Sequence, residues 1–212
     1  MINVGITNQG AKFTFEIDCT TADASPAAGD YVIVSQKIEG QNLQAIRKGT
    51  ASAQTLTLSF WVKSFQTCIF ICELVDNDNS RSCSKSYTVL ASNTWEYKTV
   101  TIAGDTSGTW NTTNSTGINV VWGLGVGSTY SATAGTWTST LIASATGATN
   151  WISTSGATFY ITGVQLEVGS TATSFDYRPY GTEDYLCKRY YQLQTVSTYG
   201  CIDGTSTVFN GT

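Results

Sequence analysis

The chain has 212 residues, of which 12% are charged, with a formal net charge of −4 and no histidine. No apolar run approaches the ~20 residues of a membrane-spanning helix, and no Lys or Arg run is present to neutralise nucleic-acid phosphates. Without histidine, acyl transfer by a serine triad lacks its usual base, and Thr, Ser, Gly and Asn give a polar but uncharged surface of a kind common in β-rich proteins.

Met1-Ile2-Asn3-Val4 lacks the basic and apolar regions of a signal peptide, so secretion by that route is not expected. Strands are expected at residues 12–17, 31–39 and 43–48. The clearest one follows, from Thr55 to Lys63. Leu56, Leu58, Phe60 and Val62 fall on one face, and Thr55, Thr57, Ser59 and Lys63 on the other. Trp61 sits on the polar face, which marks it as an exposed or interface aromatic.

Residues 68–75 and 81–89 flank Asp76-Asn77-Asp78-Asn79-Ser80 and read as a hairpin. A turn centred between Asn77 and Asp78 makes Cys72 face Cys83 and Cys68 face Tyr87. That spacing permits a disulfide, although neighbouring free thiols serve as well in a reducing cytoplasm. Asp76 and Asp78 place oxygen ligands at alternate positions, as calcium loops do, but the glycine and the distal glutamate of such loops are missing. A structural calcium is therefore a candidate cofactor only.

Strands are also expected at residues 95–102, 119–126 and 159–168. The Thr/Ser/Gly/Asn-rich stretch from Ala103 to Ser155 reads mostly as long loops around residues 119–126. It holds Trp110, Tyr130, Trp137 and Trp151. Rings among Asn, Asp and Thr suit sugars, whose C–H faces stack on aromatics while their hydroxyls meet amides and carboxylates. The alternative is that these rings plug the sandwich ends. Trp122 lies in an apolar strand and reads as core. About nine short strands at regular spacing give an all-β chain, an antiparallel β-sandwich of jelly-roll type, with no helix longer than about three turns.

The expected division is 1–178 for the sandwich and 179–212 for a C-terminal extension, an arm or the start of a second small β domain. Residues 182–194 form a short helix or a strand. Tyr185, Leu186, Tyr190, Tyr191 and Leu193 are too apolar to stand in water beside an unfinished domain, so they are expected to pack on a neighbouring copy or back on the sandwich. The expected assembly is a homo-oligomer, a trimer.

The carboxylates Glu73, Asp76, Asp78 and Glu167 are few and fall in no spacing that singles out a glycosidase pair, so no catalytic residue is assigned. The six cysteines are too few for a disulfide scaffold in a chain of this length and include no CxxC. The sequons at Asn111, Asn114 and Asn210 are ordinary in a Thr-rich chain.

Two stretches resemble a module of bacteriophage tail-fibre and other virion proteins. One is Gln36 to Leu43 with Leu56 to Lys63. The other is Ile161 to Ser170, Phe175 to Gly181 and Leu186-Cys187-Lys188-Arg189-Tyr190-Tyr191. The resemblance covers most of residues 30–192. It implies a jelly roll like that of carbohydrate-binding modules, assembled into the virion from the host cytoplasm among other virion proteins. The role it implies is non-catalytic: structure, decoration or host-glycan contact, without nucleic-acid binding or membrane insertion. The alternative is a carbohydrate-binding module of a larger glycan-active protein.

Overall fold

The computed structural model describes residues 2–5, 14–76, 80–109 and 111–191. Its strands are β1 (Ile2–Gly5), β2 (Thr14–Asp18), β3 (Tyr31–Glu39), β4 (Leu56–Ser64), β5 (Cys68–Asp76), β6 (Arg81–Val89), β7 (Glu96–Ile102), β8 (Thr116–Val126), β9 (Ser131–Ala132), β10 (Ser144–Ala145) and β11 (Thr158–Val168). One helix, α1 (Tyr180–Lys188), follows. Two compact units divide at Phe175/Asp176.

The first unit is an antiparallel β-sandwich. One sheet has the order β1-β2-β11-β4-β7 and the other β3-β8-β5-β6. The chain changes sheet between β2 and β3, β3 and β4, β4 and β5, β6 and β7, and β7 and β8. The inward residues of each strand meet those of the opposite sheet. Phe60 sets its edge against Trp122 at 5.6 Å and Tyr87 at 5.0 Å, and Phe70 meets Phe159 at 5.3 Å. All five of these rings are buried, and with Leu58, Leu74, Leu124 and Ile161 they belong to the core. Trp122 is core, as its apolar strand indicated.

Residues 43–48 are not a strand. Gly40–Ile46 is a 3₁₀ turn that buries Leu43 and Ile46, three residues apart. The pattern there has the period of a tight helix, not of a strand. A side chain at Gly40 would come within 2.0 Å of the Asn111 carbonyl, so only glycine admits this close passage.

The β5–β6 register also differs from the expected one. Cys72 faces Lys85, Leu74 faces Cys83, and Cys68 faces Val89. Facing numbers sum to 157 rather than 155, a register shift of two. A slip of two leaves the parity of every side chain unchanged. Cys72 and Cys83 thus share the core face as diagonal neighbours, both buried and free.

The four-stranded sheet is covered on its outer face. Residues 127–150 cross it as a flap pinned along β6. Gly135 donates to the Ser84 carbonyl at 2.9 Å and Thr138 to the Ser82 carbonyl at 2.9 Å. The Ser82 hydroxyl donates to the Thr140 carbonyl at 2.6 Å. These bonds also protect the β6 edge from pairing with another chain. Ser82, Ser84 and Glu73, which a bare sheet would expose, are buried by this cover.

The second unit contains α1, where the sequence left helix and strand open. Lys188 pairs with Asp184 at 2.6 Å one turn earlier, and Arg178 pairs with Glu183 at 3.0 Å. Residues 192–212, including Leu193 and any second β domain, lie outside the described residues.

Candidate functional site

Aromatic side chains gather on the outer face of the five-stranded sheet. In β4 the odd positions point outward, and the pairing places Trp61 opposite Tyr97 of β7 and Thr162 of β11. Lys63 is opposite Tyr160 of β11, and Tyr160 is opposite Glu16 of β2. Cross-strand neighbours on one face are within side-chain contact. The Trp61 and Tyr97 rings lie 5.4 Å apart, and those of Trp95 and Tyr160 6.2 Å apart. The Lys63 ammonium lies 3.9 Å from the Tyr160 ring centre and 5.5 Å from that of Trp95, a cation held over two π-faces.

Local backbone geometry supports this arrangement. The β11–β4 pairing slips between Thr162 and Gln165, and Gly163 at the slip has φ +58°. A glycine in the left-handed region relieves a bulge that another residue would strain. A side chain there would also meet Trp61 Cδ1 at 3.4 Å. The bulge thus sits directly beside the Trp61 ring.

Residues 169–175 strap down the other half of the same face. Thr57 donates to the Gly169 carbonyl at 2.8 Å, and Gln165 donates to the Ser174 carbonyl at 3.3 Å. Glu167 accepts from the Thr173 backbone at 3.1 Å and from the Thr173 hydroxyl. Thr57 and Ser59, expected on a solvated face, are therefore buried. Tyr97 remains 44% exposed, and Trp61, Lys63, Trp95 and Tyr160 are part-exposed. The Glu16 carboxylate that accepts the Tyr160 hydroxyl holds that phenol above its ordinary pKa, with burial adding to the shift. The result is an aromatic surface with one cation and the Glu16 carboxylate. Its chemistry suits the C–H faces and hydroxyls of a neutral sugar.

The other sequence candidates are scattered. Trp151 is 1% exposed and sets its edge against Phe159, with its indole N–H donated to the Thr158 carbonyl at 3.3 Å. It is a core plug and not a glycan contact. Trp137 is part-buried against the core and anchors the flap by donating to the Ala103 carbonyl at 2.7 Å. Tyr130 meets Tyr31 edge-on at 5.5 Å on the opposite side of the sandwich from Trp61. Trp110 lies outside the described residues.

Asp76 is buried and ion-paired with Lys48. It also faces Arg81 across the ladder, and Arg81 holds Asp105 through two bonds of 2.6 and 2.7 Å. The positive charge that a calcium would supply to Asp76 is thus supplied by side chains, which corrects the calcium-loop reading for this residue. Asp78 lies outside the described residues. Glu73 and Glu167 sit on the outer faces of different sheets and form no carboxylate pair.

Among the extension candidates, Tyr185, Leu186, Tyr190 and Tyr191 are exposed. The partners expected for them belong to the proposal below.

Trp95, Tyr97, Tyr160 and Lys63 were missed as partners of Trp61. Part of the signal was available, since Trp95 and Tyr97 share one face of their strand. Their adjacency to Trp61 and Tyr160 depends on the order β11-β4-β7, which no local pattern reveals.

No family model and no curated protein matches the chain. Among solved structures it is similar to a CBM4 structure at 15% identity and a TM-score of 0.41, covering 79% of this chain and 78% of that one. It is also similar to the enzymatically active domain of tailspike protein 4 of bacteriophage CBA120, at 12% identity and a TM-score of 0.42. That alignment covers 79% of this chain and 18% of the tailspike chain.

Proposed function

We propose that this chain is a non-catalytic virion module of a bacteriophage, a tail-fibre or decoration component that contacts neutral glycans of the host surface. The observation that carries the glycan reading is the outer-face array of Trp61 with Tyr97 and Trp95 with Tyr160 around Lys63, left open beside the strap. Packed aromatics are ordinary in a core. On a part-exposed sheet face they keep apolar surface in water and call for a ligand that covers it. The virion assignment rests on the sequence resemblance of residues 30–192. The proposed assembly is a homotrimer in which Tyr185, Leu186, Tyr190 and Tyr191 contact a neighbouring copy, and Leu193 is assigned to the same arm.

A glycan array followed by calorimetry tests the binding. Trp61→Ala and Trp95→Ala should each weaken the best neutral glycan at least tenfold, a loss of about 1.4 kcal/mol, while the circular dichroism spectrum stays unchanged. Equal affinity in both variants would sink the reading. Detection of the chain by mass spectrometry in purified virions tests its location. Its absence there, with the same sugar specificity retained, would favour the module of a larger glycan-active protein.

A further inference from the structure

Glu73 lies on the outer face of the four-stranded sheet, beneath the flap. It is 0% exposed, and neither carboxyl oxygen has a hydrogen-bond partner among the described residues. The ladder places it opposite Ser84 of β6 and Val121 of β8. The Ser84 hydroxyl is buried and unpartnered as well. From the flap, β10 packs on β5, β6 and β8. No cation faces this carboxyl among the described residues. Neither residues 127–150 nor β8 contain an acidic or basic side chain, and Tyr130 is the one ionisable group of the flap. Cys72, Cys83 and Lys85 stand on the core-facing side of β5 and β6. At the far end of β5, Lys48 is paired with Asp76 and Arg81 with Asp105. Burial alone therefore pushes the Glu73 carboxyl up to about 8.

The flap can lift without breaking either large sheet. Its two short strands, β9 and β10, pair only with each other. Its hydrogen bonds to the four-stranded sheet lie at the margins, along the β6 edge and at Ile69, whose carbonyl accepts from the Thr149 N–H at 2.8 Å. Between those margins it covers polar atoms that water would satisfy. Segments joined to the fold by few bonds open locally at lower free energy than the core unfolds.

We infer that closing the flap takes up one proton, at Glu73, which makes the flap a proton-linked cover for the outer face of the four-stranded sheet. In the closed state the dry site holds the neutral acid. In the open state water solvates the carboxylate and the proton leaves. Closure is thus most favourable below pH 4.5, the ordinary carboxyl value, and weakens as pH rises toward 8. The opening equilibrium grows about tenfold per pH unit across that window and levels off above it. Opening also frees the Ser82 and Ser84 carbonyls on the β6 edge, which the flap occupies when closed. The device belongs to the sheet opposite the Trp61 array and does not rest on the glycan reading.

The test is native-state hydrogen exchange on the full chain, read by mass spectrometry between pH 5 and 8 and corrected for the intrinsic chemical rate. Protection of residues 127–150 should fall about tenfold per pH unit in the native chain and stay level in Glu73→Gln. Low urea should leave flap protection unchanged while lowering that of β4, because only global unfolding exposes a large surface. Should the variant fail to fold, the pH slope and urea response of the native chain still decide the matter. Flap protection that ignores pH, or that keeps its pH slope in the folded variant, would overturn the proposal. So would a urea response equal to that of β4, since Glu73 would then meet water only on global unfolding.

Discussion

Glu73 shows what a single residue can cost. It is fully buried beneath the flap, both carboxyl oxygens lack a partner among the described residues, and burial pushes its pKa up to about 8. The native state therefore binds this proton more tightly than the unfolded chain, where the value is near 4.5. The contribution to stability is full below pH 4.5 and is lost as pH rises toward 8. The slope is about 1.4 kcal/mol per pH unit for this one group. Urea unfolding between pH 5 and 8 should show a falling midpoint in the native chain and a flatter one in Glu73→Gln. Lys48 is the opposite case, a buried charge whose partner is present. Lys48→Met would leave the buried Asp76 carboxylate with Arg81 as the nearby cation and should cost on the order of 1–3 kcal/mol in denaturant unfolding. Neither role was legible locally. Glu73 read only as one of a few scattered carboxylates, because the flap that covers it comes from residues 127–150. Asp76 read as a turn ligand, because its partner lies 28 residues earlier in sequence.

At the scale of elements, most of the long strands were legible, residues 43–48 being the exception, and their neighbours were not. Residues 31–39 and 81–89 were bounded as the structure bounds them, since alternation and turn residues act locally. The hairpin register differs by two from the expected one, and Ser80, the residue before β6, has φ +51°. The two thiols consequently do not face each other. Burial also raises both of their pKa values, that of Cys83 to about 11. Cys72 and Cys83 should resist a thiol reagent in the native state and react on unfolding. Exposed Cys187 should react at once. The flap depends on a glycine in β8. A side chain at Gly123 would lie 2.1 Å from the Ala143 carbonyl. Gly123→Ala should cost about 1–3 kcal/mol through overpacking, and limited proteolysis should cut residues 127–150 faster.

For the whole molecule, multi-angle light scattering tests the proposed trimer. The expected mass is three times 22.7 kDa. A monomer with Tyr185, Tyr190 and Tyr191 still exposed would end that proposal. By itself the sequence determined the class of fold. Period-two alternation selects half-buried strands, repeated turn residues separate them, and sparse charge leaves a polar surface. It also placed Trp61 off the apolar face by parity along its strand, and it read Trp122 as core from the apolar strand that holds it. Only the tertiary structure decided which aromatics became a surface and which became core. Trp61 meets Tyr97 because β7 lies beside β4, and Tyr160 joins Lys63 because β11 returns on β4's other side. Trp151, in surroundings as polar as those of Tyr130, is buried because its 3₁₀ turn carries it onto Phe159. Strand order is set by long-range packing of the two inner faces, and that energy belongs to no segment alone.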